Sequence, residues 1–158
     1  AIAGSRTQEK SLSIFQETGR WLDTYFRGCA PAFTPKLKLS GSDFQKRVCE
    51  IMLTIPYGKT VTYGEIAAQI ACERGIPRMS AQAVGGAVGA NPILLIVPCH
   101  RVIGAGGNLT GYGAGMERKI QLLTLEKVDM TNLFVPKGKS LPKKQPLSKS
   151  LCPRLKVK

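Results

Sequence analysis

Apolar residues return at helical spacing in several stretches of the chain. From Ile14 to Phe26 they fall at Ile14, Phe15, Leu22, Tyr25 and Phe26, which predicts a short helix ended by Gly28 and Pro31. Residues 1–13 are polar and without period and read as a loose lead-in. Residues 29–41, punctuated by Pro and Lys, read as extended. Phe44, Val48, Ile51, Met52 and Ile55 mark a second helix. Ser42 and Gln45 form a Ser-x-x-Gln capping box at its start, and Pro56-Tyr57-Gly58 stops it. A second box, Thr62 with Glu65, opens a third helix that carries Ile66, Ala67, Ile70 and Ala71 on one stripe. Gly75 and Pro77 place a loop over residues 73–79, and Ser80 caps a fourth helix that runs to about Gly89.

Asn91-Pro92 breaks that helix. The run Ile93 to Val97 is apolar and rich in branched residues, so it reads as a buried, strand-like segment closed by Pro98. Residues 104–115 are Gly-rich. A last helix runs from about Met116 to Lys127, with Met116, Ile120, Leu123 and Lys127 in line. The fold class expected is mostly α with a short β element. The helices on either side of residues 73–79 suggest a helix-turn-helix of the winged-helix-like kind, with a turn longer than the usual three or four residues.

Charge changes the picture. Among 158 residues, 23 Lys and Arg face 10 Asp and Glu, giving +13. Such a balance points to an acidic partner, nucleic acid before an anionic membrane surface. No apolar run approaches the ~20 residues of a membrane helix. Eight of the basic residues lie in 137–158 with three prolines and no acid, which reads as a disordered basic tail. Such a tail would add salt-sensitive, sequence-independent affinity for DNA. The part before it carries +5.

Five cysteines, at positions 29, 49, 72, 99 and 152, are odd in number and widely spaced, with no CxxC pair. A disulfide framework and a zinc site both fit poorly, since zinc needs about four Cys or His ligands and His100 is the one histidine. Free thiols in a reducing, cytoplasmic setting are the expectation, with neither metal nor cofactor.

Two stretches could carry chemistry. Pro98-Cys99-His100-Arg101 follows the apolar run, so Pro fixes the backbone that presents Cys99. A thiol near pKa ~8.5 is a few per cent thiolate at neutral pH and needs a base or a positive field, which His100 and Arg101 could supply. Neighbours in an extended strand point to opposite faces, so direct Cys99–His100 contact needs a tight turn or a bridging water. The bland alternative is a buried Cys99 acting as a small hydrophobe. In Ser80-Ala-Gln-Ala-Val-Gly-Gly-Ala-Val-Gly-Ala90, each helical Gly costs up to ~1 kcal/mol relative to Ala. Either tight helix–helix packing or close approach of a nucleic-acid backbone would account for them.

Together these segments resemble one family. Ile96-Val-Pro-Cys-His-Arg-Val-Ile103 is similar to the active-site motif of the O6-alkylguanine-DNA alkyltransferases. Ile55-Pro-Tyr-Gly, Thr62-Tyr-Gly-Glu-Ile66, Ala83-Val-Gly-Gly-Ala-Val-Gly-Ala-Asn-Pro92 and Gly111-Tyr-Gly-Ala-Gly115 with Lys119, Leu122, Leu123 and Glu126 follow its pattern in order, from about Ser42 to Lys127.

The resemblance implies repair by irreversible, single-turnover transfer of an alkyl group from guanine O6 in DNA to the protein's own cysteine, after the nucleotide is flipped out. It makes Cys99 the nucleophile, His100 the water-linked base, Glu126 the acid that orients it, Tyr63 the phenol that protonates the leaving guanine, and Asn91 a brace. Tyr112, Gly113, Ala114, Gly115 and Val102 are assigned to the guanine pocket. Ser80, Ala81, Gln82, Ala83, Gly85 and Gly86 are assigned to the DNA-facing helix. Arg101 looks structural in the family, takes no chemical step, and is grouped with the DNA-facing residues.

At position 82, where many relatives place an Arg finger, this chain has Gln, which fills space but brings no charge. The implied partner is double-stranded DNA carrying O6-alkylguanine, with O4-alkylthymine a second candidate lesion, bound by a monomer without a membrane. Residues 1–41 then read as the stub of an N-terminal domain and linker, 42–136 as the catalytic and DNA-binding domain, and 137–158 as the tail. A non-catalytic lesion binder is disfavoured because Cys99 is present, and a regulator without chemistry because Cys99, His100, Glu126 and Tyr63 occur together. A cysteine hydrolase would lack a separate relay histidine.

Overall fold

A computed structural model describes residues 3–136, with side chains from residue 13. The basic segment 137–158 lies outside the described residues. The chain divides into two compact units, with the boundary between Lys38 and Leu39.

The first unit holds helix α1 (Ala3–Phe26). It starts far ahead of Ile14, so the loose lead-in expected over residues 1–13 is not what forms. That stretch has no proline, and its Ala, Arg, Gln, Glu, Lys and Leu are good helix formers even without an apolar period. Trp21 and Tyr25, one turn apart, stack with ring centroids 5.2 Å apart. Gly28 leaves the helix at φ 76°, its N–H donating to the Tyr25 carbonyl. Cys29 is disulfide-bonded, so the expectation of five free thiols fails there.

The second unit begins with α2 (Asp43–Leu53) and continues through α3 (Tyr63–Arg74), α4 (Ala81–Gly89) and α5 (Met116–Leu125). Both capping boxes form. The Ser42 hydroxyl accepts from the Gln45 N–H while Gln45 Oε1 accepts from the Ser42 N–H at 2.9 Å. Thr62 and Glu65 do the same for α3. Gly75, at φ 63°, closes α3 in the left-handed conformation that suits glycine, and Ser80 caps α4. α3 and α4 pack on each other across residues 75–80, and α2 packs on α4. That is the helix-turn-helix, with its core at Val48, Ile51, Met52, Ile66, Ile70, Val84 and Val88. On the surface, Arg47 of α2 ties to Glu73 of α3 through two hydrogen bonds.

The β content is small. Among the described residues, β1 (Val61–Thr62) pairs in parallel with β2 (Val102–Ile103), Val61 opposite Val102. The strand expected over Ile93 to Val97 does not form. Asn91 captures that backbone: its Oδ1 accepts from the Ile93 N–H, and its Nδ2 donates to the Ile93 and Val97 carbonyls. A side-chain amide competing for backbone groups bends the run into turns, with Leu95 at φ 71° and Leu94 exposed. A second apolar cluster, centred on Ile103, Leu109 and Leu123, seats α5. α5 ends at Leu125, with Lys127 already left-handed at φ 58°.

Removing a cap tests this construction at a point remote from the site. Ser42→Ala should cost about 1 kcal/mol. The thermal midpoint should drop by roughly 3–4 °C in a calorimetric melt, and an unchanged midpoint would show that the box contributes nothing.

Candidate active site and nucleic-acid interface

Cys99, His100 and Arg101 form one turn of 3₁₀ helix after Pro98. The turn is the tight geometry that neighbouring side chains need to serve a single site. All three are buried, and so is Glu126, which sits at the C-cap of α5 and reaches back to them. His100 Nε2 lies 2.6 Å from Glu126 Oε1. Arg101 Nε donates to Glu126 Oε2 at 2.8 Å, and its second amino group to Oε1 at 3.0 Å. The Gly58 N–H donates to Oε2 at 3.1 Å. Gly58 has to be glycine: φ is 75°, and a Cβ there would stand 2.9 Å from the Glu126 carbonyl oxygen.

These contacts set the protonation states. Burial alone would raise the Glu126 carboxyl, but the bonds from His100, Arg101 and Gly58 prevail and hold it near 2. Burial pushes His100 below its ordinary value, with Glu126 opposing, so the ring is neutral at pH 7. A neutral imidazole facing a carboxylate donates from Nε2, which leaves Nδ1 as its basic nitrogen. Burial raises the Cys99 thiol, against hydrogen bonds from the Asn91 side chain and two backbone N–H groups and against the Lys119 charge, all of which favour thiolate. Burial also raises the Tyr63 and Tyr112 phenols, Tyr112 to about 12, so both stay protonated.

Arg101 corrects the expectation that grouped it with the DNA-facing residues. Its guanidinium is committed to Glu126 and, at 2.7 Å, to the Ile55 carbonyl, and it presents no surface cation. Val102, assigned to the guanine pocket, is fully buried in β2 and is not among the residues that line the cavity.

A cavity of about 410 Å³ opens over Cys99, lined also by Val88, Asn91, Leu94, Gly111, Tyr112, Gly113, Ala114 and Arg118. It adjoins a longer groove of about 970 Å³ that runs from Gly111, Tyr112 and Gly113 along Tyr63 to Ala81, Gln82, Gly85, Gly86 and Gly89. The Tyr63 hydroxyl donates toward the carbonyls of Thr110 and Gly111, each at 3.2 Å. Gly111, at φ 64°, leaves room for that hydroxyl, which a Cβ would approach to 3.0 Å. Gly115 is the N-cap of α5, at φ 98°. Ser80, Ala81, Gln82, Ala83 and Gly86 are exposed on α4, and Gly85 is half-buried.

The glycines of α4 are not needed for packing inside the protein. A Cβ at Gly86 or Gly89 would meet nothing within 4 Å, and at Gly85 only the Tyr63 ring at 3.9 Å. Of the two explanations open in the sequence, tight helix–helix packing is therefore removed.

Lys119 was given no role from the sequence. It is fully buried, and its ammonium donates to the Val102 carbonyl at 2.6 Å and the Thr110 carbonyl at 2.9 Å. Burial lowers its pKa to about 8. It ties β2, just after the Cys99 turn, to the loop that carries Tyr112. The signal was present: Lys119 falls on the same stripe as Met116, Ile120 and Leu123, a charge on a buried face.

A helix-turn-helix beside a cavity floored by a thiol, backed by a buried imidazole and carboxylate, defines a helix-turn-helix class with a cysteine site. Residues 43–128 match the family described as 6-O-methylguanine DNA methyltransferase, DNA binding domain, and the chain belongs to that family. It is 54% identical over 113 residues to a methylated-DNA–protein-cysteine methyltransferase of Mycobacterium leprae, covering 72% of this chain and 66% of that one. It is 58% identical over 106 residues to one of Mycobacterium tuberculosis, covering 67% and 61%. The chain thus spans just under two thirds of the length of these curated relatives. The solved structure of Mycobacterium tuberculosis OGT in complex with DNA matches with a TM-score of 0.64 at 54% identity, over 72% of this chain and 67% of that one.

Replacing Glu126 should test the buried cluster. Glu126→Gln leaves the Arg101 charge without its counterion, at a cost of about 3–5 kcal/mol in denaturant unfolding at pH 7. A carboxyl held near 2 contributes stability that is present above its usual 4.5 and is lost as pH falls toward 2. The gap between wild type and variant should therefore narrow across that window. A gap constant from pH 6 to pH 2 would contradict the assignment.

Proposed function

We propose that this chain repairs alkylated DNA by moving an alkyl group from guanine O6 to its own Cys99, once per molecule. The observation that carries the reading is Cys99 at the floor of a cavity that adjoins the groove along α4, with the buried His100–Glu126 pair behind it. In duplex DNA guanine O6 is inaccessible to such a cavity, so the nucleotide is flipped out of the stack. Glu126 fixes the His100 tautomer, and Nδ1, through a water, takes the thiol proton. The thiolate attacks the alkyl carbon, the C–S bond forms as the C–O6 bond breaks, and the electron pair stays on the guanine. Tyr63, kept protonated by burial, donates to the ring, and its proton is restored from solvent. Asn91 braces the turn and supports the thiolate.

Tyr112, Gly113 and Ala114 line the base pocket in this reading, while Gly115, expected there too, is outside the lining and caps α5. Ser80, Ala81, Gln82, Ala83, Gly85 and Gly86 face the DNA, with Gln82 filling the space the flipped base leaves. Open space over Gly86 and Gly89 supports close approach by an external backbone. The protein acts as a monomer on double-stranded DNA, in the cytoplasm, with residues 42–136 as the working domain and the basic tail adding non-specific affinity. Neither metal nor cofactor takes part.

Incubation with an O6-methylguanine duplex should add one methyl to the peptide containing Cys99, read by mass spectrometry. Cys99→Ala should bind the same duplex without gaining mass. Methyl gain elsewhere, or none, would sink the proposal. A second test addresses α4. Gly86→Ala should raise stability by about 0.5–1 kcal/mol, because Ala is the better helix residue and nothing opposes its Cβ. It should weaken duplex binding by about fivefold or more, a loss of roughly 1 kcal/mol. Unchanged affinity would remove α4 from the interface.

A further inference from the structure

The residues that line the cavity over Cys99 include a single charged side chain, Arg118. It lies in the first turn of α5, exposed, at the same opening as Tyr112, Gly113 and Ala114. Among the described residues no Asp or Glu lines the cavity. Glu126 lies behind it, fully buried and held by His100, Arg101 and Gly58. Glu117, next to Arg118, is outside the lining. Behind the cavity the Arg101 charge is paired with Glu126, and the charge that acts on the Cys99 thiol itself is the buried Lys119, also positive.

A methyl group has no use for a cation, and neither does the neutral guanine base. An O6 substituent that ends in a carboxylate does. Its negative charge must come within a few ångströms of the Cys99 thiolate as the C–S bond forms, and like charges at that range repel strongly in a partly desolvated site. A guanidinium at the cavity wall offsets that repulsion and binds the carboxylate through paired N–H donors. The volume of about 410 Å³ suits a flipped base with a substituent larger than methyl.

We propose that Arg118 is a specificity-determining residue that adapts this pocket to O6-carboxyalkyl guanines, of which O6-carboxymethylguanine is the smallest. The inference rests on the alkyl-transfer reading above. The Cys99 sulfur attacks the methylene carbon next to the carboxylate. The C–S bond forms, the C–O6 bond breaks, and the electron pair remains on guanine O6. The guanine ring takes up one proton in place of the one the thiol lost. Nothing is oxidised or reduced, and the product is S-carboxymethyl-Cys99 beside Arg118.

The test uses the full chain and three otherwise identical duplexes. They carry O6-methylguanine, O6-carboxymethylguanine or its neutral isostere O6-carbamoylmethylguanine. Single-turnover alkylation of Cys99 is followed by mass spectrometry. The expected result is that Arg118→Gln lowers the carboxymethyl-to-carbamoylmethyl rate ratio by about two- to fivefold, as for loss of one exposed ion pair. Arg118→Glu should lower it further, and Arg118→Lys should retain most of it. An unchanged ratio in Arg118→Gln overturns the proposal. So does equal slowing on all three duplexes, which would make Arg118 a phosphate contact. Transfer from none of the three by wild-type protein overturns the alkyl-transfer reading itself, and this inference with it.

Discussion

The buried Glu126 carboxylate is the constraint on which the rest of the site depends. It accepts from the Gly58 N–H, from His100 Nε2 and twice from the Arg101 guanidinium, so three segments far apart in sequence meet on two oxygen atoms. The arrangement is costly to assemble, because both charges leave water. Geometry repays it: the Arg–carboxylate fork is bidentate, and Arg101 spends a further donor on the Ile55 carbonyl. The loop after α2, the 3₁₀ turn and the end of α5 are thereby held as one piece. Tyr57 closes the same junction, with the Arg101 guanidinium 5.7 Å from its ring centroid.

The local consequence is a histidine with one defined tautomer beside a thiol that burial keeps protonated at rest. That combination suits a proton transfer timed to a reaction better than a standing thiolate, which would react with any passing electrophile. Lys119 adds a second tie across the same region. By holding the Val102 and Thr110 carbonyls together it fixes the Gly-rich loop relative to the Cys99 turn, while the Tyr63 hydroxyl donates to the same Thr110 carbonyl and to that of Gly111. A loop of glycines has little stiffness of its own, and here two side chains supply it.

Rigidity at the thiol contrasts with the surface of α4. Its glycines lower helix propensity and fill no internal gap, so this helix is less stable than its position in the core requires. The capping hydroxyl of Ser80 and the buried Val84, Ala87 and Val88 hold the element in place without using its outer face.

Much of this was written locally in the sequence. Ser42 with Gln45 and Thr62 with Glu65 fixed two helix starts, because a capping box is closed within four residues. Gly75 and Ser80 fixed the turn, and the motif around Cys99 marked the candidate site. What failed locally did so for want of partners. The apolar run Ile93 to Val97 has the composition of a strand, yet Asn91 takes its backbone groups and, among the described residues, no strand pairs with it. Residues 3–13 lack an apolar period but still join α1, since good helix formers extend a helix already begun. The grouping of Arg101 with the DNA-facing residues fails because sequence shows a charge and not its burial. By itself the sequence marked most of the helices and singled out Cys99 as the candidate thiol, since propensity and capping act over a few residues. Only the tertiary structure decided which charges are spent inside, which cation lines the cavity and which glycines face open space, because burial and pairing are properties of segments brought together from far along the chain.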